Sequence, residues 1–458
     1  MRLSSLVLAV LVLAPAALTA QGSGARPAAP TLTLDEALLL ARRNNPIYLQ
    51  SLNGRTRANA QVRSAYGAFI PSLSSSLTGG FREGRPQNFG GVSFGAASSL
   101  LNTNYSLSAQ LDLSPSVWMN TRQQSLGLEA AELDVDAGTM TLRQAVTSQY
   151  MAVLQQEARA RLQDTLLANT QAQLDLAKAR QAAGSATDLD VRRAEVQVGQ
   201  QRVAVLQARN SADVEKLRLF QQLGVPQPGD VRLTTELPVN SATQSLDQLL
   251  EEARRANPQL RALRDREQAS VIGTRIAKSS YLPTVTLSAN LSGYTQKYTD
   301  ASYVASLPAA QQPAAQAAQG AFPFSFERNP YTINFGLSLP IFDGFQREQR
   351  VQAAEANRSD AQWNVRAQEL RLTADVTAAY LTLQTDAQSV ALNTTNAQTA
   401  REALALAGER FRVGLANIVE VIQARADFER AESDRITSIF QFHRDFAALE
   451  QAAGRPLR

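Results

Sequence analysis

Four segments of the chain alternate between apolar and polar side chains with a period of two, the pattern of β-strands with one apolar and one polar face. The alternation is clearest where Ile333, Phe335 and Leu337 are separated by an asparagine and a glycine. The predicted strands are residues 72–82, 104–114, 284–294 and 331–341. At about 10 residues each, they have the length that a tilted strand needs to cross a bilayer. A half-buried sheet of a soluble domain is the alternative, but the helical segments offer no broad apolar face to cover it.

Long proline-free segments with sparse apolar positions follow the second and the fourth strand, at about residues 116–182 and 346–413. At ~1.5 Å per residue, each predicts a helix of roughly 100 Å. A glycine turn and a returning helix about half as long follow each one, at residues 188–223 and 418–453. The apolar stripes suit side-by-side coiled-coil packing, with two faces left polar. We interpret these hairpins as parts of a tube of helices, with a dimeric coiled-coil stalk as the alternative.

The same unit occurs twice along the chain. The dipeptide Asn45-Pro46 recurs 212 positions later as Asn257-Pro258, and the strand entry at Pro71 recurs at the same offset. We therefore predict two structural repeats, each with two strands and one helical hairpin, whose tips lie near residues 184 and 414. The repeats are residues 32–223 and 246–454, joined by a linker of residues 224–245.

The N-terminal residues have the pattern of a secretory signal. Arg2 is followed by an apolar run from Leu6 to Leu13 and by small residues before Gln21, which predicts a signal peptide over residues 1–20 and a flexible lead-in over residues 21–31. The apolar run is too short for a comfortable transmembrane helix, so we expect any membrane insertion to use the strands. Four strands cannot close a barrel, and open edges in lipid leave backbone groups unsatisfied. Identical chains would have to complete the wall.

Composition excludes several classes of function. The chain has 45 Lys and Arg against 41 Asp and Glu, which is too balanced for a nucleic-acid surface. It has no cysteine and a single histidine, His443, so a thiolate or multi-histidine metal site is excluded. Neither a nucleophile elbow nor a P-loop is present, and Gly90-Gly91 fits a turn between strands. We predict a protein that is not an enzyme, with no cofactor, no metal and no nucleic-acid partner.

The hairpin tips carry the most specific local pattern. Gly184 and Gly414 fit the left-handed residue that ends a helix. The next helices begin with a Thr or Asn cap, and Asp190 and Glu420 stand where a capping-box acid belongs. The alternative role for these acids is a ring of carboxylates around the axis of a symmetric oligomer, which favours cations.

The chain resembles the TolC-type outer-membrane efflux factors from about residue 32 to residue 454. The resemblance rests on the two Asn-Pro openings, the two strand entries ending in proline, and the second tip, Val413-Gly414-Leu415 followed by Ile418-Val419-Glu420-Val421. It implies an α+β membrane protein and a homotrimer. Each protomer would contribute four strands to a shared 12-stranded β-barrel and two long hairpins to a trimeric α-helical coiled-coil tunnel.

The resemblance also implies a function. The protein would be the outer-membrane channel of a tripartite efflux or type I secretion system, a passive conduit for small molecules or proteins. Its partners would be outer-membrane lipid, a periplasmic adaptor (membrane fusion protein) and an inner-membrane pump of the RND, ABC or MFS type. It would lie in the bacterial outer membrane and extend into the periplasm. A soluble periplasmic coiled-coil scaffold or adaptor is the alternative, although adaptors have one hairpin flanked by β-rich modules.

Gate residues carry over from the family only in part. Phe411 occupies the aromatic gate position without the hydroxyl, and Asp190 matches its carboxylate partner. Glu420 retains one acid of the narrowest ring, whereas Gln423 replaces the other and Ala416 stands at the arginine position. The tips that the resemblance assigns to adaptor contact comprise Gly184, Ser185, Val413, Gly414 and Leu415.

Overall fold

The computed structural model describes residues 31–84, 87–94, 98–229, 231–234 and 244–457. The predicted signal peptide and residues 21–30 of the lead-in lie outside these residues, as do residues 230 and 235–243 of the predicted linker. The described helices, in chain order, are α1 (Leu34–Asn44), α2 (Pro46–Gly67), α3 (Pro115–Ala182), α4 (Asp188–Leu223), α5 (Leu246–Ala256), α6 (Pro258–Ser279), α7 (Ala301–Ser306), α8 (Gln312–Ala321), α9 (Gln346–Arg412) and α10 (Ile418–Ala453). Among these helices, none combines the length and the apolar character needed to cross a membrane.

The strands are mostly short, apart from four of the five in the main sheet. In chain order they are β1 (Thr31–Leu32), β2 (Ser72–Arg82), β3 (Gln87–Phe89), β4 (Val92–Phe94), β5 (Leu100–Leu113), β6 (Arg232–Leu233), β7 (Thr284–Tyr298), β8 (Glu327–Arg328) and β9 (Thr332–Ser338). The main sheet is antiparallel, with β2 next to β5, β5 next to β7, and both β8 and β9 on the other edge of β7. Two of the loops between strands contain secondary structure. In one, β3 and β4 form a hairpin that turns at Gly90-Gly91, and in the other, between β7 and β8, lie α7 and α8.

The register of the sheet separates apolar from polar side chains. Directly opposite residues lie on the same side of a sheet, and Leu107 is opposite Leu291, whereas Ser76 is opposite Ser106. Hydroxyl groups bond across the polar face, where the Oγ atoms of Ser76 and Ser106 are 2.8 Å apart. The apolar face is exposed in the protomer, with exposed side chains that include Leu73, Leu77, Phe81, Leu107, Leu287, Leu291, Ile333, Phe335 and Leu337. No helix of the described residues covers it along its length, as the sequence predicts.

The ends of three strands differ from the prediction. β5 begins at residue 100 rather than 104, and β7 continues to residue 298 rather than 294, because each finds a partner in the other. The fourth strand ends at Ser338 instead of residue 341, since Pro340 has no N–H to donate to a neighbour. It is preceded by β8, whose pairing with β7 is offset by one residue from that of β9. The offset is a β-bulge, and Pro330 lies within it.

The helices pack in a row that follows the order of the strands. α4 packs on α3, α3 on α10, and α10 on α9, while α2 and α6 pack on the upper part of α3. One apolar core lies among α1, α3 and α4, and a second among α5, α9 and α10. In the first, the hydroxyl of the buried Tyr150 donates to the Leu32 carbonyl at 2.8 Å. Beside the second, His443 is buried with its ring edge-on to Phe442.

The repeated Asn-Pro motif makes the same contact in both halves of the chain. Asn45 accepts a hydrogen bond from the Tyr48 N–H, which caps α2, and its side-chain amide donates to the Gln222 carbonyl at 2.7 Å. Asn257 caps α6 in the same way and donates to the Ala452 carbonyl at 3.1 Å. The start of α2 or α6 is thereby joined to the end of the returning helix, α4 or α10.

Candidate functional site: the hairpin tips

The two tips have the same backbone. Gly184 has a φ of 74° and Gly414 a φ of 83°, the left-handed region that favours glycine. The next residue's N–H, that of Ser185 or Leu415, donates at 2.8 Å to the carbonyl of Arg180 or Arg410. This bond satisfies a carbonyl that the end of the helix leaves free, as in a Schellman motif. The glycine turns predicted at 184 and 414 are therefore present.

At the first tip, Asp190 is held by the helix cap. It accepts hydrogen bonds from the Thr187 N–H at 3.0 Å and from the Thr187 hydroxyl at 2.7 Å. Thr187 in turn accepts from the Asp190 N–H, which completes the predicted capping box. The hydroxyl and the N–H of Thr187 keep the pKa of the Asp190 carboxyl below its ordinary value. Asp190 is thus ionised at the tip at neutral pH.

At the second tip, the capping box predicted for Glu420 is only half formed. Asn417 accepts from the Glu420 N–H at 3.0 Å. The Glu420 carboxylate, however, accepts from Arg410 Nη1 at 2.7 Å. Arg410 lies in the last turn of α9, directly across the tip, so its charge competes for Glu420 with the uncharged N–H of the cap. Because both groups are about half exposed, this ion pair adds little to stability.

Phe411 connects the two hairpins. It is 9% exposed and packs with Ile418 and Val421 of its own hairpin and with Leu176 of α3. The Arg180 guanidinium lies 4.7 Å from the centre of the Phe411 ring, within the range of a cation–π contact. Its Nη2 also donates to the Arg412 carbonyl at 3.4 Å. The sequence gives no signal of this contact, because Arg180 and Phe411 belong to different hairpins.

Arg425 forms a second link between the hairpins, about two turns into α10. Its Nη1 donates to the Thr170 hydroxyl of α3 at 2.8 Å, and its Nη2 donates to the Gln197 side chain of α4. The residue is 8% exposed, and burial lowers the pKa of its guanidinium, partly offset by Glu429. Nothing in the sequence distinguishes Arg425 from the other three arginines of α10, so this link could not be predicted.

The remaining predicted tip residues are exposed. Val413 and Leu415 are 58% and 72% exposed, and Gly184 and Ser185 lie beside them on the surface of the other tip. Gln423 donates to Asp427 at 3.1 Å, one turn further along the same helix. The second tip therefore presents apolar side chains, and Arg180 and Arg425 join its hairpin to the first. Within the described residues, no group of three or more metal-ligating side chains occurs.

Comparison with known proteins gives this arrangement a class. The family model for outer membrane efflux proteins matches residues 38–225 and 249–455, which together make up most of the chain. Two long hairpins on a four-stranded antiparallel sheet are the plan of TolC-type efflux factors, a class of outer-membrane transport channels. The chain belongs to the outer membrane efflux protein family, and it is accordingly a protein of the outer membrane.

The similarity to curated relatives and to solved structures extends over most of both chains. The chain is 24% identical over 419 residues to the pyoverdine export outer membrane protein OpmQ of Pseudomonas putida, which covers 88% of this chain and 81% of the relative. A membrane protein from Pseudomonas aeruginosa superposes with a TM-score of 0.71 at 22% identity, over 92% of this chain and 93% of the other. The outer membrane protein VceC of Vibrio cholerae gives 0.70 at 17% identity, over 93% and 97%. These structures share the fold.

Proposed function

We propose that the protein is the outer-membrane channel of a tripartite efflux or type I secretion system. Three copies share one 12-stranded barrel and one helical tunnel, through which small molecules or proteins pass from the periplasm or from an inner-membrane pump to the exterior. The hairpin tips meet a periplasmic adaptor, and the pump is of the RND, ABC or MFS type. The channel is a passive conduit and performs no chemistry. The family assignment does not favour a soluble scaffold.

The observation that carries this proposal is that the protomer has two different exposed sides, each with an unpaired strand edge and an exposed apolar stripe on a helix. The outer edges of β2 and β9, at opposite ends of the sheet, have no strand beside them among the residues that the structure describes. An unpaired edge in lipid is costly, so each edge needs a partner. The edge of β9 in one copy and the edge of β2 in the next complement each other, which makes the contact head-to-tail and closes a ring.

The helices have the same two open flanks. α9, at one end of the row, carries exposed Trp363, Leu370, Leu381, Leu392 and Leu406, whose spacing places them within an arc of about 40°. α4, at the other end, carries a broader stripe of about 100°, made of exposed Leu189, Val196, Val203, Leu206, Val214 and Leu217. Exposed apolar side chains aligned along one side of a helix suit packing against another helix. The α9 stripe of one copy fits the α4 stripe of its neighbour.

The tip geometry supports a gate. Arg180 and Arg425 tie the first hairpin to the second within one copy, and the exposed Val413 and Leu415 offer an adaptor an apolar contact. In this proposal, Asp190, Phe411, Glu420 and Gln423 line the closed end. Phe411 is held by the charge of Arg180, which takes the place of the hydroxyl that the family uses.

Reconstitution of the purified protein tests the proposed function. We expect an SDS-resistant trimer in outer-membrane fractions and discrete conductance steps in planar bilayers. A monomer released by osmotic shock that gives no conductance would overturn the proposal and leave the periplasmic scaffold.

A further inference from the structure

The five charged residues of the main sheet are sorted by face. Lys297 and Arg328 share the apolar face, because Arg328 is opposite Gly293, and Gly293 and Lys297 alternate in register with Leu291. Asp112, Glu327 and Arg82 fall on the polar face by the same alternation. The face that would meet lipid thus carries two positive charges and no negative charge.

Both cations lie in the half of the sheet that is far from the helices, where Arg328 is level with Leu77 and Lys297 is level with Phe81. Lys297 is opposite Leu101, which is itself opposite Phe81 at the end of β2 that is far from the helices. Both cations are exposed, and neither is in an ion pair with any residue that the structure describes. A charge placed on a lipid-facing surface without a protein partner needs a partner from the surroundings.

Aromatic side chains lie on the same face as Arg328. A Cβ on Gly293, the residue between Tyr105 and Arg328 in register, would lie only 2.4 Å from Tyr105 Cε1, so the missing side chain leaves room for the Tyr105 ring. The Tyr105 ring packs edge-on against Phe326, with ring centres 4.9 Å apart. Phe81, which is level with Lys297, is exposed at the end of β2. Aromatic belts of this kind mark the interface between the apolar core of a membrane and its headgroups.

We propose that Arg328 and Lys297 bind phosphate groups of anionic lipids in the outer leaflet. The proposal rests on the function proposed above, since that function places this end of the sheet outside. Arginine and lysine form strong charge-assisted hydrogen bonds with phosphate. The two cations are ~13 Å apart along the strand direction, so each contacts a separate phosphate. The belt then fixes the height of the barrel by charge as well as by apolar area.

Native mass spectrometry of the detergent-solubilised protein tests the site, with bisphosphorylated lipid A as the probe. The test variant is Arg328→Gln with Lys297→Gln, and the matched control is Arg82→Gln, which removes a cation at the same end from the polar face. We expect roughly 30-fold weaker lipid binding in the double variant, about fivefold for each cation. The Arg82→Gln control should bind bisphosphorylated lipid A as tightly as the wild type does. Dephosphorylated lipid A should bind the wild type only as weakly as bisphosphorylated lipid A binds the double variant.

Three results would overturn the site: equal binding by the double variant, an equal loss in Arg82→Gln, or equal binding of the two lipids. Conductance of the double variant separates this site from the function on which it rests. Unchanged trimer and conductance with lost lipid binding support both proposals. A wild-type protein that neither trimerises nor conducts fails as a channel, whatever its lipid binding.

Discussion

Each hairpin turns through a single glycine. Gly414 has a φ of 83° with Arg180 Nη2 near its missing Cβ, and Gly184 has a φ of 74° with open space around it. Side chains larger than hydrogen resist this backbone region, and β-branched ones resist it most. A tip of fixed shape is what a docking partner can recognise.

Replacing Gly414 by Val should therefore impair adaptor docking. The left-handed turn would cost about 1–2 kcal/mol with valine, so the tip would rearrange while the helices behind it remain intact. The measurement is cross-linking to the adaptor together with export-dependent resistance in cells. Gly408→Val is the matched control, because Gly408 lies within α9 with nothing near its Cβ position. Normal cross-linking in Gly414→Val would contradict the proposed docking role.

Arg180 and Phe411 should act as one unit in holding the tips together. Arg180→Met keeps the apolar stem of the side chain and removes the charge over the ring, so we expect a higher open probability in planar bilayers. Phe411→Leu should have a similar effect, and the double variant should add little, with a coupling energy of about 0.5–1 kcal/mol. Fully additive effects would show that the two side chains act separately.

The ends of the helices are determined by nearby residues in the sequence, whereas the ends of the strands depend on residues far away in the sequence. Pro46 and Pro258 open their helices, and Gly224 and Gly454 end the returning ones, so the sequence places these ends closely. The ends of β5 and β7 depend on each other, and the bulge between β8 and β9 depends on β7. The alternation of apolar and polar residues within one strand carries no information about which strand pairs with it.

The contacts of the site show the same division. The Asp190 cap was predictable because its partner, Thr187, is three residues away. The links of Arg180 to Phe411 and of Arg425 to Thr170 span more than 200 positions. They depend on how the two hairpins pack against each other. The spacing of apolar residues within one helix does not predict that packing.

One contact between α9 and α10 responds to pH. Burial, with a hydrogen bond and repulsion from Asp445, raises the pKa of Asp386 to about 7. Gln441 donates to Asp445 at 2.6 Å, and the nearby Arg444 is bonded to Gln155 of α3 and to Gln441. Protonation of Asp386 removes its repulsion from Asp445 between the two helices.

Asp386 should make the protein less stable as pH rises. Its folded pKa lies above that of an unfolded aspartate, so its stabilising contribution is complete below about pH 4 and is lost as pH rises through 7. Asp386→Asn keeps a hydrogen-bond donor and removes the titration. We expect its melting temperature to exceed that of the wild type by a few degrees at pH 8 and to match it near pH 4. Asp360→Asn, an exposed site on the same helix, is the control; equal behaviour of both variants would contradict this role.

At the scale of the whole molecule, two unlike flanks define the assembly. A charge placed in the exposed stripe of α9 should prevent the proposed trimer, because it would be buried against α4 of the next copy. Leu381→Asp tests this, with Thr382→Asp as a control that places the same charge one residue further around the helix. The expected result is loss of the SDS-resistant trimer only in Leu381→Asp. A stable Leu381→Asp trimer would place the seam elsewhere.

The Asn45 and Asn257 clamps have a mechanical consequence. Each fastens the far end of a returning helix, so that the hairpin below it behaves as a lever with its fulcrum at the clamp. The arm from clamp to tip is 36 residues, or ~54 Å. A tilt of only about 5° at such a fulcrum swings the tip by ~5 Å. In the proposed channel, a small adjustment near the clamp would thereby be magnified into a larger change of aperture at the tips, without any helix having to unwind.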